Sequence, residues 1–227
     1  MLLRGPHCSD SRMRVELRPS AMLWHLVREH SLDSPAAMKR PPTWFERKFD
    51  FTFPVEQHPN LCARLRGTPA RLEETVRGID RGVLVSKPGE NKKWSAQEHA
   101  GHLLDLEPLW MARVNDFLGD NHLTESSQLT VADLSNRKTH DAQHNQRPIG
   151  EILTEFRSAR SQLVSQVENL DPAIYSRALL HPRLKLPMRL VDHLYFVAEH
   201  DDHHLAHIWD LINAGQSATH KSRVNAD

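Results

Sequence analysis

The chain has 227 residues, with 29 basic side chains against 29 acidic ones, 39% hydrophobic residues and 26% charged. That length allows one full-sized domain with extensions, and the balanced charge gives no sign of nucleic acid as a main partner. Two cysteines, Cys8 and Cys62, make neither a CxxC motif nor a disulfide framework; no apolar run is long enough to span a membrane; and the first residues are a poor secretory signal, so a cytoplasmic protein is expected.

Residues 1–37 scatter Arg, Ser, Pro and His and are expected to form a disordered extension. Met38 opens a segment of different character and is a candidate natural start. Residues 38–215 are expected to form the folded domain, with 216–227 a polar tail. Trp44, Phe45, Phe49, Phe51 and Phe53 are too apolar for a free tail and are expected to pack as an extended arm across the domain surface. From Asn60 to Ile79, Leu61, Leu65, Leu72, Val76 and Ile79 recur at helical spacing, and Thr68-Pro69 marks a kink or a second start. Residues 80–93 connect, with Gly82, Pro88 and Gly89 as breakers.

Ser95-Ala96-Gln97-Glu98 is a capping box and starts a second helix. Its inward positions include His99, His102, Leu103, Leu106, Trp110, Val114 and Phe117. Pro108 should kink it and Gly119 stop it. Residues 120–147 are polar and long for a connection, as a bundle crossover requires, with a helical turn expected near Val131–Asn136. Pro148 lies near the start of a third helix, followed by Ile152, Phe156, Ala159, Leu163, Val167 and Leu170. Asp171-Pro172 ends it, and a proline-containing loop reaches to residue 187. A last helix runs from Leu190 to about Asn213, with Gly215 as terminator. Strand-like alternation is weak throughout. The expected fold is all-α: a four-helix bundle, up-down-down-up, with the long crossover between helices two and three.

The last helix carries the chemistry. His193, His200, His204 and His207 fall within roughly 40° of one line at helical period. His200 and His204 lie four apart, the spacing at which one helix face offers two imidazoles to one metal ion. Leu190, Val197 and Leu211 share that face, so it points inward, where imidazoles need a cation, or water and a carboxylate. Antiparallel packing brings the start of the second helix to the same level. His102 and His99, nearly one turn apart, both qualify there, and period alone does not separate them. Three imidazoles with one open position suit a catalytic zinc, nickel or iron ion. Asp105, Glu107, Glu199, Asp201 and Asp202 are candidate outer partners, and His207 a candidate outer donor. His203 points off the stripe and reads as a surface residue, and His193 as a core or outer residue. Arg113 reads as a surface residue or an anion holder. The His181-Pro182-Arg183 loop is expected at the far end of the bundle from the metal. Nothing basic is placed to activate Cys62.

WSAQEHAGHLLDLE (Trp94–Glu107) followed by FVAEHDDHHLAHI (Phe196–Ile208) resembles the DinB family of YfiT-like four-helix bundles, over roughly residues 44–213. In that family a histidine of the second helix and an HxxxH pair of the last helix bind a divalent metal. The resemblance therefore implies His102, His200 and His204 as ligands. It departs at His207, where the family commonly has Gln. It further implies a small-molecule substrate, with hydrolysis or transfer of a low-molecular-weight thiol as the reaction. A non-catalytic, metal-stabilised binding or dimerisation module is the rival, and a homodimer is compatible with either.

Overall fold

Each periodic segment forms a helix, and four long ones make the bundle. The computed structural model describes residues 43–89, 93–119 and 127–224, with side chains as far as 218. The expectations for residues 1–37 and for Met38 as a start lie outside the described residues. The helices are α1 (His58–Val76), the short α2 (Arg81–Val85), α3 (Ala96–Leu118), the short α4 (Arg137–Asp141), α5 (Ile149–Val167) and α6 (Leu190–Val224).

Side-chain pairs set the directions. Arg66 reaches Glu168 and Glu73 reaches Arg157, so α1 and α5 are antiparallel. Glu107 meets Arg160 and Asn115 meets Gln166, so α3 and α5 are parallel. His102 lies beside His204 and Phe117 beside His193, so α3 and α6 are antiparallel. This is the up-down-down-up order, and α4 lies in the crossover that the α3–α5 parallel pairing requires.

The core has two apolar halves. One gathers Leu61, Leu65, Trp110, Val114, Phe117, Leu163, Val167, Leu194 and Val197. The other gathers Leu72, Val76, Leu103, Ile152, Phe156, Ile208 and Ile212. Between them all four long helices present a buried polar residue at one level: Thr68, Glu107, Arg160 and Asp201. Arg160 donates to Glu107 Oε1 at 2.6 Å and pairs with Asp201, which also accepts from Thr68 Oγ1 at 2.8 Å. A buried guanidinium needs this compensation, because removing one partner of such a network typically costs about 3–5 kcal/mol. Burial pushes Glu107 up to about 7, against the pull of the Arg160 charge.

The capping box forms as read: Glu98 N–H donates to Ser95 Oγ at 3.1 Å, and Ser95 N–H to Glu98 Oε2 at 2.9 Å. Helix α1 runs uninterrupted through Pro69, and α3 through Pro108. Three expectations need correction. The helical turn of the crossover falls at α4, just beyond Val131–Asn136. Gly215 does not end α6, which continues to Val224; a Cβ there would come within 2.8 Å of Val83 Cγ1, so that glycine is a point of close approach to α2. The loop before α6 contains an antiparallel hairpin, β1 (Ala178–Leu180) and β2 (Pro187–Arg189). Strands of three residues are too short to show alternation. No helix of the described residues is long and apolar enough to cross a membrane.

Candidate metal centre

His102, His200 and His204 are buried, and one ligand atom from each lies within 4.8 Å of the others. His200 Nε2 and His204 Nε2 are 3.2 Å apart. Two nitrogens bound at about 2.0–2.1 Å to one tetrahedral cation stand about 3.4 Å apart. The separation therefore suits a shared ion without rearrangement. The alternative is a single proton between two imidazoles that burial holds well below their ordinary pKa, each further opposed by the other histidines.

The outer contacts assign the protons. His102 Nδ1 is 3.0 Å from Thr139 Oγ1, and the Thr139 side chain also acts on the Asp105 carboxyl, lowering its pKa. With the hydroxyl turned toward that carboxylate, its oxygen is free to accept from His102 Nδ1–H, which leaves Nε2 as the lone-pair atom. Asp105 also receives His144 Nε2 at 2.7 Å. Burial pushes the Asp105 carboxyl up, but His144, Thr139 and Lys138 outweigh it and hold it below the usual range. On the other side, His204 Nδ1 contacts His99 Nδ1 at 2.8 Å. Burial lowers His102 to about 4 and His99 to about 3, so both rings are neutral near pH 7.

The structure thus separates the two histidines that helical period left equal. His102 joins the pair, and His99 stands behind His204. His207 stacks on His99, with ring centroids 5.2 Å apart, one layer further out. Asp105, named as one outer candidate among five, contributes through Thr139. Glu199 and Asp201 turn elsewhere: Glu199 pairs with Arg47 and Arg64, and Asp201 with Arg160 and Thr68. Their carboxylates serve guanidinium groups because α6 lays its acidic residues against α1 and α5. His203 is buried and not on the surface, its ring 5.7 Å from Trp44, because the aromatic arm covers it. Thr139 and His144 carried no sequence signal, since they lie in an aperiodic crossover. The one trace is Gly101, where a Cβ would meet the His144 ring at 2.2–2.5 Å.

Three tryptophans wall the cluster. Ring centroids lie 4.9 Å apart for Trp44 and His200, 4.6 Å for Trp94 and His102, and 5.5 Å for Trp110 and His200. The aromatic arm is thus held onto α6 at the site, and Arg47 in the same arm pairs with Glu199. The His181-Pro182-Arg183 loop lies against the half of α3 away from His102, with His181 at Arg113, but it reaches back along α6 to Phe196, one turn before His200, at 5.2 Å. The hairpin folds the loop back along α6. Cys62 is a free, buried thiol whose pKa burial raises, which leaves it a packing residue.

Three imidazoles at the heart of an up-down-down-up bundle define a class of helical proteins with a histidine centre. The match to known proteins narrows it: a family model described as the DinB superfamily matches residues 64–208, and the chain belongs to that superfamily. Among solved structures, YfiT from Bacillus subtilis aligns with a TM-score of 0.61 at 20% identity, covering 73% of this chain and 91% of its own. That protein is described as "a probable metal-dependent hydrolase with an unusual four-helix bundle topology". At this identity the likeness shows the fold. No curated protein matches the chain.

Proposed function

We propose that His102, His200 and His204 hold one divalent metal ion and that the chain is a metal-dependent enzyme acting on a small molecule, most directly a hydrolase. The observation that carries this reading is the composition of the cluster: three imidazoles and, among the described residues, no carboxylate or thiol within reach to close the shell. Structural zinc sites have four protein ligands, whereas catalytic ones keep a position open. A divalent cation there supplies Lewis acidity toward a water or a thiol at that position. The chain's own part is to present three neutral imidazoles. Thr139 and Asp105 orient His102, His99 orients His204, and Trp44, Trp94 and Trp110 limit the surrounding water. The description of YfiT supports hydrolysis.

A low-molecular-weight thiol can occupy the same open position, so thiol transfer is the reading to test beside it. Zinc, nickel and iron all suit three imidazoles. We place the enzyme in the cytoplasm, from its sparse cysteines, with no nucleic-acid partner; dimer formation is checked by light scattering. The test is hydrolysis of a panel of activated esters and amides, in parallel with thiol-transfer assays. Activity abolished by chelation, restored by one of the three metals and absent in His200→Ala supports the proposal. A purified protein that binds metal yet turns over nothing in either panel favours the binding-module reading.

A further inference from the structure

Beside the histidine cluster lies a second group of polar side chains of which the metal reading uses only the Trp110 ring. Arg113, on α3, is 2% exposed. Its Nε donates to Thr130 O at 3.0 Å, and its Nη1 stands 3.3 Å from His181 Nε2. His181 Nδ1 accepts from the backbone N–H groups of Arg183 and Leu184, at 3.2 and 3.1 Å. Those two bonds put the lone pair of a neutral ring on Nδ1 and its proton on Nε2. The Nε2–H and the Arg113 guanidinium are therefore two donors facing each other.

Further donors collect at the same place. Trp110 Nε1 and Arg183 Nη2 are buried without a protein partner. Phe196 ties the group together: the His181 ring lies 5.2 Å from it, the Arg183 guanidinium 6.0 Å and the Trp110 ring 6.3 Å. Asp116 acts on Arg113 as the opposing charge, but its Oδ2 already accepts from Thr130 N–H at 2.6 Å. Burial lowers Arg113 to about 10, with Arg183 adding to the effect, so its charge sits desolvated beside a second guanidinium. Buried donors without acceptors are costly, more so when charged, and a native fold rarely keeps several together without a use.

We propose that Arg113, His181, Arg183 and Trp110 form an oxyanion subsite that receives the anionic group of the substrate, a carboxylate or a tetrahedral oxyanion. An acceptor there would give the facing donors a common partner. Trp110 links this group to the metal centre, its ring 5.5 Å from that of His200. A molecule anchored by its anion at Arg113 and Arg183 would present its reacting end to the histidines. Oxyanion binding stands on these donors alone; its role in substrate choice rests on the metal reading above.

The test is an NMR titration of metal-free and zinc-loaded protein with sodium acetate and, separately, sodium sulfate, at ionic strength held constant with sodium chloride. The Trp110 indole N–H, assigned with Trp110→Phe, is the reporter. We expect a saturable shift with one of the two anions in both forms, and at least tenfold weaker binding in Arg183→Gln. Arg183 is only partly buried, so that variant keeps its fold; Arg113→Lys, which retains the charge, should bind more tightly than Arg113→Gln. The anion that binds more tightly names the chemical class. No saturable shift with either anion, or equal affinity in Arg183→Gln and wild type, overturns the subsite. A protein that binds the anion but no zinc overturns the metal centre and leaves the subsite standing.

Discussion

Gly101→Ala should destabilise this protein, although glycine to alanine inside a helix ordinarily stabilises. Gly101 lies within α3, where the exchange is worth about 1 kcal/mol by propensity. A Cβ at that position would meet His144 Cγ, Cδ2 and Nδ1 at 2.2, 2.3 and 2.5 Å. His144 is 1% exposed, and the nearest atom is the root of its ring, so it cannot swing aside cheaply. Overpacking of this kind costs about 1–3 kcal/mol. Displacing the ring also breaks its 2.7 Å bond to Asp105, worth about 1.5–3 kcal/mol for a bond to a charged group. The losses exceed the gain, for a net destabilisation of about 1.5–5 kcal/mol. Gly67→Ala in α1 is the control, since nothing lies within 4 Å of its added Cβ, and it should gain up to about 1 kcal/mol. Urea unfolding of both variants measures the difference. A Gly101→Ala protein as stable as wild type would refute the reasoning, because it would mean that the crossover does not lock His144 against α3.

Thr139→Val removes the acceptor of His102 Nδ1 and should lower zinc affinity about 10–100-fold, read by competition with a chromogenic chelator, beside a stability loss of about 1–3 kcal/mol from the buried N–H left unpaired. Arg160→Met should cost about 3–5 kcal/mol in thermal unfolding, since it leaves Glu107 and Asp201 facing each other in the core; an unchanged midpoint would contradict the pairing. Stability of the metal-free protein should fall with acid. Burial, aided by Arg113 and Arg183, lowers His181 to about 3, whereas the unfolded chain takes up that proton near pH 6.5, so the contribution is complete above about 6.5 and is lost as pH falls toward 3. His181→Asn, which can keep an acceptor near Nδ1, should flatten that slope, as followed by urea midpoints between pH 7 and 4.

What was legible in the sequence is what repeats or caps. The leucines of α1, the apolar line of α5, the capping box at Ser95 and the HxxxH pair all follow from helical period and orphan amides, and the length of the crossover marks the parallel α3–α5 pairing. The site's outer layer follows no period. His99 and His102 differ by three residues, about 60° around the helix, so only packing against α6 shows that His102 meets His200 and His204 while His99 backs His204. Thr139 and His144 lie in an aperiodic connection, and their partners are set by how it closes over α3. His181 and Arg183 lie toward the end of α3 away from His102, and the hairpin that sets them beside Phe196 has strands of only three residues, too short to read. Gly215 resembled a stop because sequence does not distinguish a cap from a close helix contact.

The measurement that tests the central claim most directly is metal content by elemental mass spectrometry on untagged protein. Wild type, His102→Ala, His200→Ala and His99→Ala would be compared after reconstitution with zinc. The account predicts about one metal per chain in wild type, loss in His102→Ala and His200→Ala, and retention with weaker affinity in His99→Ala. No metal in wild type, or loss in His99→Ala with retention in His102→Ala, would contradict it.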